Sequence, residues 1–126
     1  VKTFMDLGCT VGFGSDGPCT NPDPIVWLYK AVNHSNPAER ITIQQALRMS
    51  TYNGYWISFD EKERGSLEVG KLADMVVLSK NPYTVAAEEL MSIKVEKTIL
   101  HGEDFVPEKG SFVKPILKGI FSSKKA

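Results

Sequence analysis

Residues 11–18, VGFGSDGP, place a carboxylate at the end of a short apolar run. Val11-Gly12-Phe13-Gly14 gives way to Ser15 and Asp16, and Gly17-Pro18 prevents any regular continuation. A carboxylate at such a tip offers a hard oxygen ligand or a proton acceptor. An Asp in a turn also caps helices and satisfies loop amides, which is the ordinary use of the residue type. Ser15 is placed either to hydrogen-bond to Asp16 or to make a local turn bond. Asn21 and Asp23 follow in the same loop, where Asp23 fits a helix cap. The two histidines, His34 and His101, form no cluster. His34 falls at a helix end, where the dipole favours it, and His101 precedes Gly102 in a turn and reads as structural. Cys9 and Cys19 lack a C-x-x-C spacing and a neighbouring His, so both are expected to be free thiols and neither a nucleophile.

The elements that carry these residues follow from periodicity and punctuation. KTFMDLGC (2–9) reads as the end of a helix, with Phe4, Met5 and Leu7 on one apolar face and Gly8 as the stop. Residues 10–14 then predict a short buried strand, and 15–23, rich in Gly, Pro, Asn and Asp, a loop. Asp23 caps the next helix and Pro24 takes its first position. Ile25, Leu28, Tyr29 and Val32 recur at spacings of three and four along it, and Asn36-Pro37 ends it. Thr42-Ile43-Gln44-Gln45 fits a capping box. The helix it opens is predicted to run to about Trp56, with Ile43, Ala46, Leu47 and Ser50 along one side and Asn53-Gly54 weakening its end. Trp27, Tyr29, Tyr55 and Trp56 read as core or interface.

Beyond residue 60 the pattern changes. DEKER (60–64) is a solvated charge run, and MVVL (75–78) is predicted to be a buried strand. Gly65, Gly70 and Asp74 sit at turn or bulge positions. Residues 85–93 suggest a short amphipathic helix. Residues 94–100 suggest a strand in which Val95, Thr98 and Leu100 do not share one phase, as a bulge would produce. His101-Gly102-Glu103-Asp104 forms a hairpin-type turn. The tail from Ser111 carries apolar residues early and ends in a basic stretch. The first half alternates strand and helix, the second is mostly strands and turns, and the boundary falls near residue 64.

Composition limits what the chain can be. Its 126 residues suit one domain. At 42% hydrophobic and 24% charged residues it is an ordinary soluble globular chain. Lys+Arg and Asp+Glu are each 15, and the resulting neutrality argues against nucleic acid or an anionic membrane as the main partner. No run reaches the roughly 18 apolar residues of a membrane span, and no signal peptide opens the chain. The first residue is Val, so a fragment or a processed product is expected. A reducing cytosol is the expected location.

Taken together, these stretches resemble the C-terminal end of the amidohydrolase superfamily. GSDGP at 14–18 is similar to the family's G-S-D-x-P at the end of the eighth strand of a TIM barrel. DPIVWLYKAV at 23–32 resembles the helix that follows it. ITIQQALRMST at 41–51 is similar to L-T-x-x-E-A-L-x-x-x-T. GSLEVGKLADMVVLS at 65–79 resembles G-S-L-E-x-G-K-x-A-D-l-v-v-L, the most specific of the matches. TILHGEDF at 98–105 resembles the strand that closes on V-x-G. The likeness points to the amidohydrolase-3 branch, with its N-substituted formamide deformylase-like members.

That resemblance implies an α/β fold: residues 1–64 as the last barrel strand with flanking helices, and 65–126 as part of a small β-sandwich domain and tail. In the family, Asp16's position ligates a divalent metal and shuttles the proton of the bound water, so the resemblance assigns Asp16 as both catalytic and metal-ligating. Lys71 and Asp74 resemble positions that organise turns remote from catalysis. The parent reaction would be hydrolysis of a C–N bond in a small amide-type molecule, with a divalent metal, zinc first among the candidates. The family's H-x-H pair, mid-barrel carboxylated Lys and later histidines have no counterpart here. A full barrel also needs about 250 residues. The expected reading is therefore a piece of a hydrolase, inactive and metal-free alone. Apolar surfaces near Val11, Phe13 and Leu28 would be left to self-associate or to meet the missing barrel segment. The alternative is a short non-catalytic binding or assembly module derived from that fold.

Overall fold

Local capping chemistry sets most of the helix ends. In the computed structural model, which describes residues 1–17 and 19–106, α1 spans Lys2–Asp6 and is followed by Gly8 at φ 82°. The predicted tail lies outside the described residues. Helix α2 (Pro24–Val32) starts where expected: the Asp23 carboxylate accepts the Ile25 amide at 2.9 Å and Pro24 fills the first turn. Asn36 caps a 3-10 turn over Pro37–Glu39 in the same way. Helix α3 (Ile43–Ser50) opens with a complete capping box. The Gln45 amide donates to the Thr42 hydroxyl at 3.2 Å, and the Thr42 amide donates to the Gln45 side chain at 2.9 Å. Such a cap contributes about 1 kcal/mol.

The predicted single helix to Trp56 is in fact two. A break at Thr51 (φ −127°, ψ −97°) separates α3 from α4 (Tyr52–Ile57). The Ser50 hydroxyl donates back to the Ala46 carbonyl and the Thr51 hydroxyl to the Leu47 carbonyl, at 3.1 and 2.8 Å. Back-bonding of this kind bends a helix, and here two consecutive hydroxyls do it. Asn53 does not weaken the helix. It is buried, and its side-chain amide donates to the Val11 carbonyl at 2.7 Å.

The core is built where α2, α3 and the 3-10 helix Ala87–Ser92 meet. Ile25, Leu28 and Ala31 from α2 bury against Ile41, Ala46, Met49, Leu90 and Ile93. Each full-sized apolar side chain buried this way contributes about 1.5–3 kcal/mol. Leu28 is therefore buried, against the expectation that it faces a missing partner; its place on the inner stripe of α2 decides this. Val11 and Phe13 are half-buried against the same core. On α1 only Met5 turns inward, while Phe4 and Leu7 are exposed.

No strand forms over residues 10–14. The backbone groups of this segment are taken up by the helices instead. The Phe13 amide donates to the Met49 carbonyl at 3.2 Å, and Asn53 holds Val11. A strand needs a neighbouring strand to pair with, and none of the described strands lies beside it. The apolar run was legible; its partner is not in these residues.

The second half carries a three-stranded antiparallel sheet, β1 (Met75–Leu78), β2 (Val95–Leu100) and β3 (Glu103–Asp104), in that order. Val77 pairs with Lys97 and Leu78 with Val95, so Glu96 is an extra residue and marks the expected bulge. His101 and Gly102, at φ 54° and 82°, make the two-residue turn whose twist suits a hairpin. The prediction that MVVL is buried fails: Val76 and Val77 are 54% and 41% exposed. A run of β-branched residues reports strand formation without reporting what covers the strand. The observed architecture is thus a small α/β unit with helices and one antiparallel sheet; it contains neither a closed barrel nor a second sheet among the described residues.

Candidate functional site

The loop that follows Gly14 is closed on itself. The Thr20 hydroxyl donates to the Ser15 carbonyl, the Gly17 amide donates to the Ser15 hydroxyl at 3.3 Å, and the Cys19 amide donates to the Asp16 carbonyl at 2.9 Å. Asp16 sits at the tip with φ 46°, a left-handed conformation that Asp tolerates better than most residues. Its side chain is exposed and takes part in none of the hydrogen bonds or ion pairs among the described residues. The jobs an ordinary turn Asp would do belong to others: Asp23 caps α2, Ser15 serves the Gly17 amide, and Asn21 accepts the Asp23 amide at 2.9 Å. Ser15 thus makes the local turn bond and not a bond to Asp16.

Both arms of this loop rest on Trp27. The indole N–H donates to the Asn21 carbonyl at 2.8 Å, and the ring lies 6.2 Å from that of Phe13 at an interplanar angle of 47°. Below the loop a cleft of about 400 Å³ is lined by Phe13, Gly14, Asn21, Trp27, Lys30 and His34, among others. Its walls are mostly apolar, and Asp16 lies outside them. His34 follows the end of α2, half-buried, with Nδ1 3.1 Å from the Asn36 amide. His101 stays in its hairpin turn, on the sheet side. Neither histidine joins Asp16 in a cluster, and the described residues hold no group of three or more His, Cys, Asp or Glu able to grip a metal. Cys9 and Cys19 are exposed and unpaired.

A second polar cluster forms around the turns of residues 61–74. Lys71 Nζ donates to the Glu61 carbonyl and the Ser66 hydroxyl, each at 2.6 Å, and lies over the Tyr52 ring. The Ser66 hydroxyl, and then Lys71, hold Glu68 below the usual carboxylate range. Asp74 accepts the His101 amide at 2.8 Å and faces Arg64 at 3.5 Å. On the α1 side, the Thr3 hydroxyl donates to the Glu39 carboxylate and ties α1 to the Pro37–Glu39 turn. Trp27's part in the loop escaped sequence reasoning because its partner is a backbone carbonyl, which leaves no residue-type signal at Asn21.

The sequence profile of the amidohydrolase family matches residues 1–105. The N-substituted formamide deformylase of Arthrobacter pascens is 34% identical over 109 residues, covering 81% of this chain and 20% of that protein. A 5-methylthioadenosine/S-adenosylhomocysteine deaminase of Thermoanaerobacter pseudethanolicus is 34% identical over 86 residues, 62% of this chain and 20% of the relative. The imidazolonepropionase of Symbiobacterium thermophilum is 41% identical over 83 residues, 62% and 18% respectively. The chain thus spans about a fifth of the length of these relatives. No solved structure matches it significantly. Among the described residues no helix is long and apolar enough to cross a membrane.

Proposed function

The chain belongs to the amidohydrolase family, and from that premise we propose that it is the C-terminal segment of a metal-dependent hydrolase that cleaves a C–N bond in a small amide-type molecule. Asp16 is the residue by which this segment enters the chemistry. The observation that carries the reading is the free carboxylate: the bonds that close the loop around Asp16 among the described residues do not use it. A strained, left-handed, exposed acid that stabilises nothing local is the kind of residue a reacting centre retains.

The donor set here does not by itself fit a metal. Asp16 supplies one oxygen, and a catalytic zinc site takes three protein ligands. The remaining donors would come from the rest of the protein, which the relatives' lengths leave room for. Within this chain, Asp16's part is to accept a proton from the attacking water and return it to the leaving nitrogen. The same reading assigns residues 1–64 to the end of a TIM barrel and residues 65–126 to a small β domain, with Leu90 and Ile93 reaching back into the helical core. The exposed apolar surface meets the missing barrel segment, and the free thiols suit a reducing cytosol.

The test uses the full-length protein and an N-substituted formamide as substrate, the class named for one relative. Asp16→Asn should lower kcat by at least about 100-fold, while Asp6→Asn, remote on α1, should leave it unchanged. An unaltered rate in Asp16→Asn sinks the assignment.

A further inference from the structure

We infer that Trp27 is the positioning residue of the Asp16 loop, an inference that rests on the role proposed for Asp16. The loop from Ser15 to Thr20 is a ring closed by its own bonds. Nothing inside that ring fixes its angle to the rest of the protein. Two arms do so, Phe13-Gly14 on the way in and Asn21 on the way out. Phe13 is also tied to α3 through the Met49 carbonyl, and Asn21 to the start of α2 through the Asp23 amide, but one side chain touches both arms: the Trp27 ring stacks at a tilt on Phe13, and its indole N–H donates to the Asn21 carbonyl at 2.8 Å. Trp27 itself stands in the first turn of α2, whose start is fixed by the Asp23 cap and whose inner face is buried through Ile25 and Leu28. The chain of support therefore runs from the core to α2, to Trp27, to both arms, to the Asp16 tip.

A reactive carboxylate must hold its place to a fraction of an ångström, and a misplacement of about 1 Å costs on the order of 100-fold in rate. Trp27 touches neither Asp16 nor any group that reacts, so its effect on chemistry passes through the loop. Trp27→Phe keeps a ring against Phe13 and removes the donor. Phe13→Leu removes the ring pair and keeps the donor. Trp27→Leu removes both.

Hydrogen exchange on the full-length protein reads the loop without any substrate. The Gly17 and Cys19 amides, the two bonded within the loop, should exchange roughly tenfold faster in Trp27→Phe and in Phe13→Leu than in the parent, with α3 and the sheet unchanged. With the formamide probe, kcat should fall about tenfold in each single variant and about 100-fold in Trp27→Leu, with KM held within about twofold. Unchanged exchange at Gly17 and Cys19 in both single variants overturns the inference, whatever the rates. So does full kcat in Trp27→Leu when Asp16→Asn is inactive. If Asp16→Asn keeps its rate while the loop loosens, the role of Asp16 fails and Trp27 is a structural strut only, which also overturns the positioning claim.

Discussion

Asp16 and Asp74 lie in two turn-rich, glycine-bearing regions of the same chain, and they are used in opposite ways. Asp74 is fully occupied. One oxygen takes the His101 amide, the other faces Arg64, and its side chain is only 13% exposed. It ties the β2–β3 hairpin to the turns at residues 64–74, and Gly102 completes the tie by donating to the Ala73 carbonyl at 3.0 Å. The Asp16 side chain is exposed, and its loop closes through Ser15, Thr20, Asn21 and the Asp16 backbone carbonyl, with the carboxylate left out. The glycines differ in the same sense. A Cβ on Gly65 would stand 2.9 Å from Tyr55 and 3.0 Å from the Tyr52 backbone, at φ 88°, whereas one on Gly17 would meet only the Ser15 hydroxyl at 3.4 Å. Residue type in a turn does not distinguish an acid that builds structure from one that is kept free. The count of its bonds does.

The contrast can be broken most directly by exchanging the losses. Asp16→Asn should lower kcat of the full-length protein by about 10²–10⁴-fold, equivalent to about 3–5 kcal/mol of barrier. Its urea midpoint should stay within what about 0.5 kcal/mol allows. Asp74→Ala should do the reverse, costing about 0.5–1.5 kcal/mol in urea unfolding because the His101 amide loses its acceptor and the hairpin its tie to the turns. A large stability loss in the first variant, or none in the second, would erase the distinction. The Arg64 contact adds little to this figure, since it is long and half-exposed.

The glycine pair sharpens the same comparison at smaller magnitude than the loss at Asp16. Gly65→Ala should destabilise by about 1–2 kcal/mol through its left-handed backbone and the contact with Tyr55 and Tyr52. Gly17→Ala should be neutral or stabilising by about 0.4–1 kcal/mol. Thermal melts of the two variants side by side decide it. The smallest effect is the pH response of the 61–74 turns. Glu68 is held below its ordinary 4.5 by Ser66 and Lys71. The stability it contributes is therefore present above 4.5 and is lost as pH falls through its lower folded value. Glu68→Gln should flatten the acid limb of the stability curve below pH 4.5 and leave neutral stability nearly unchanged; an identical acid limb would show that the turn draws nothing from Glu68.

Much of the helical part was legible. Asp23-Pro24 and Thr42-x-x-Gln45 are complete local instructions, and both helices begin where those residues say. The bulge within residues 94–100 followed from a broken alternation, and the hairpin was placed at residues 101–104, although only His101-Gly102 turn and Glu103–Asp104 pair as β3. The failures share a cause. Residues 10–14 and MVVL were read as buried strands because their side chains are apolar, yet burial and pairing are supplied by neighbours that a local pattern does not contain. The break at Thr51 was missed because Ser50 and Thr51 act through their hydroxyls on the preceding turn, an effect weaker than propensity suggests for Asn53-Gly54. At the candidate site, Asp16 was visible as a residue, but its freedom was not: that depends on which bonds its neighbours make.

The core that joins α2 to the Ala87–Ser92 turn has a temporal side. Helix α2 leaves the ribosome about 60 residues before Leu90 and Ile93, the side chains that help to bury it. Asn33, just past the helix, likewise waits for the Ala87 carbonyl to which its side chain donates at 2.9 Å. At about 5–20 residues per second, Ile25, Leu28 and Ala31 remain incompletely covered for roughly 3–12 s of synthesis. During that interval α2 has only Ile41, Ala46 and Met49 of the buried core to pack against. A chain that stops before residue 90 would never end the interval, and its exposed stripe would mark it for degradation before any question of catalysis arose.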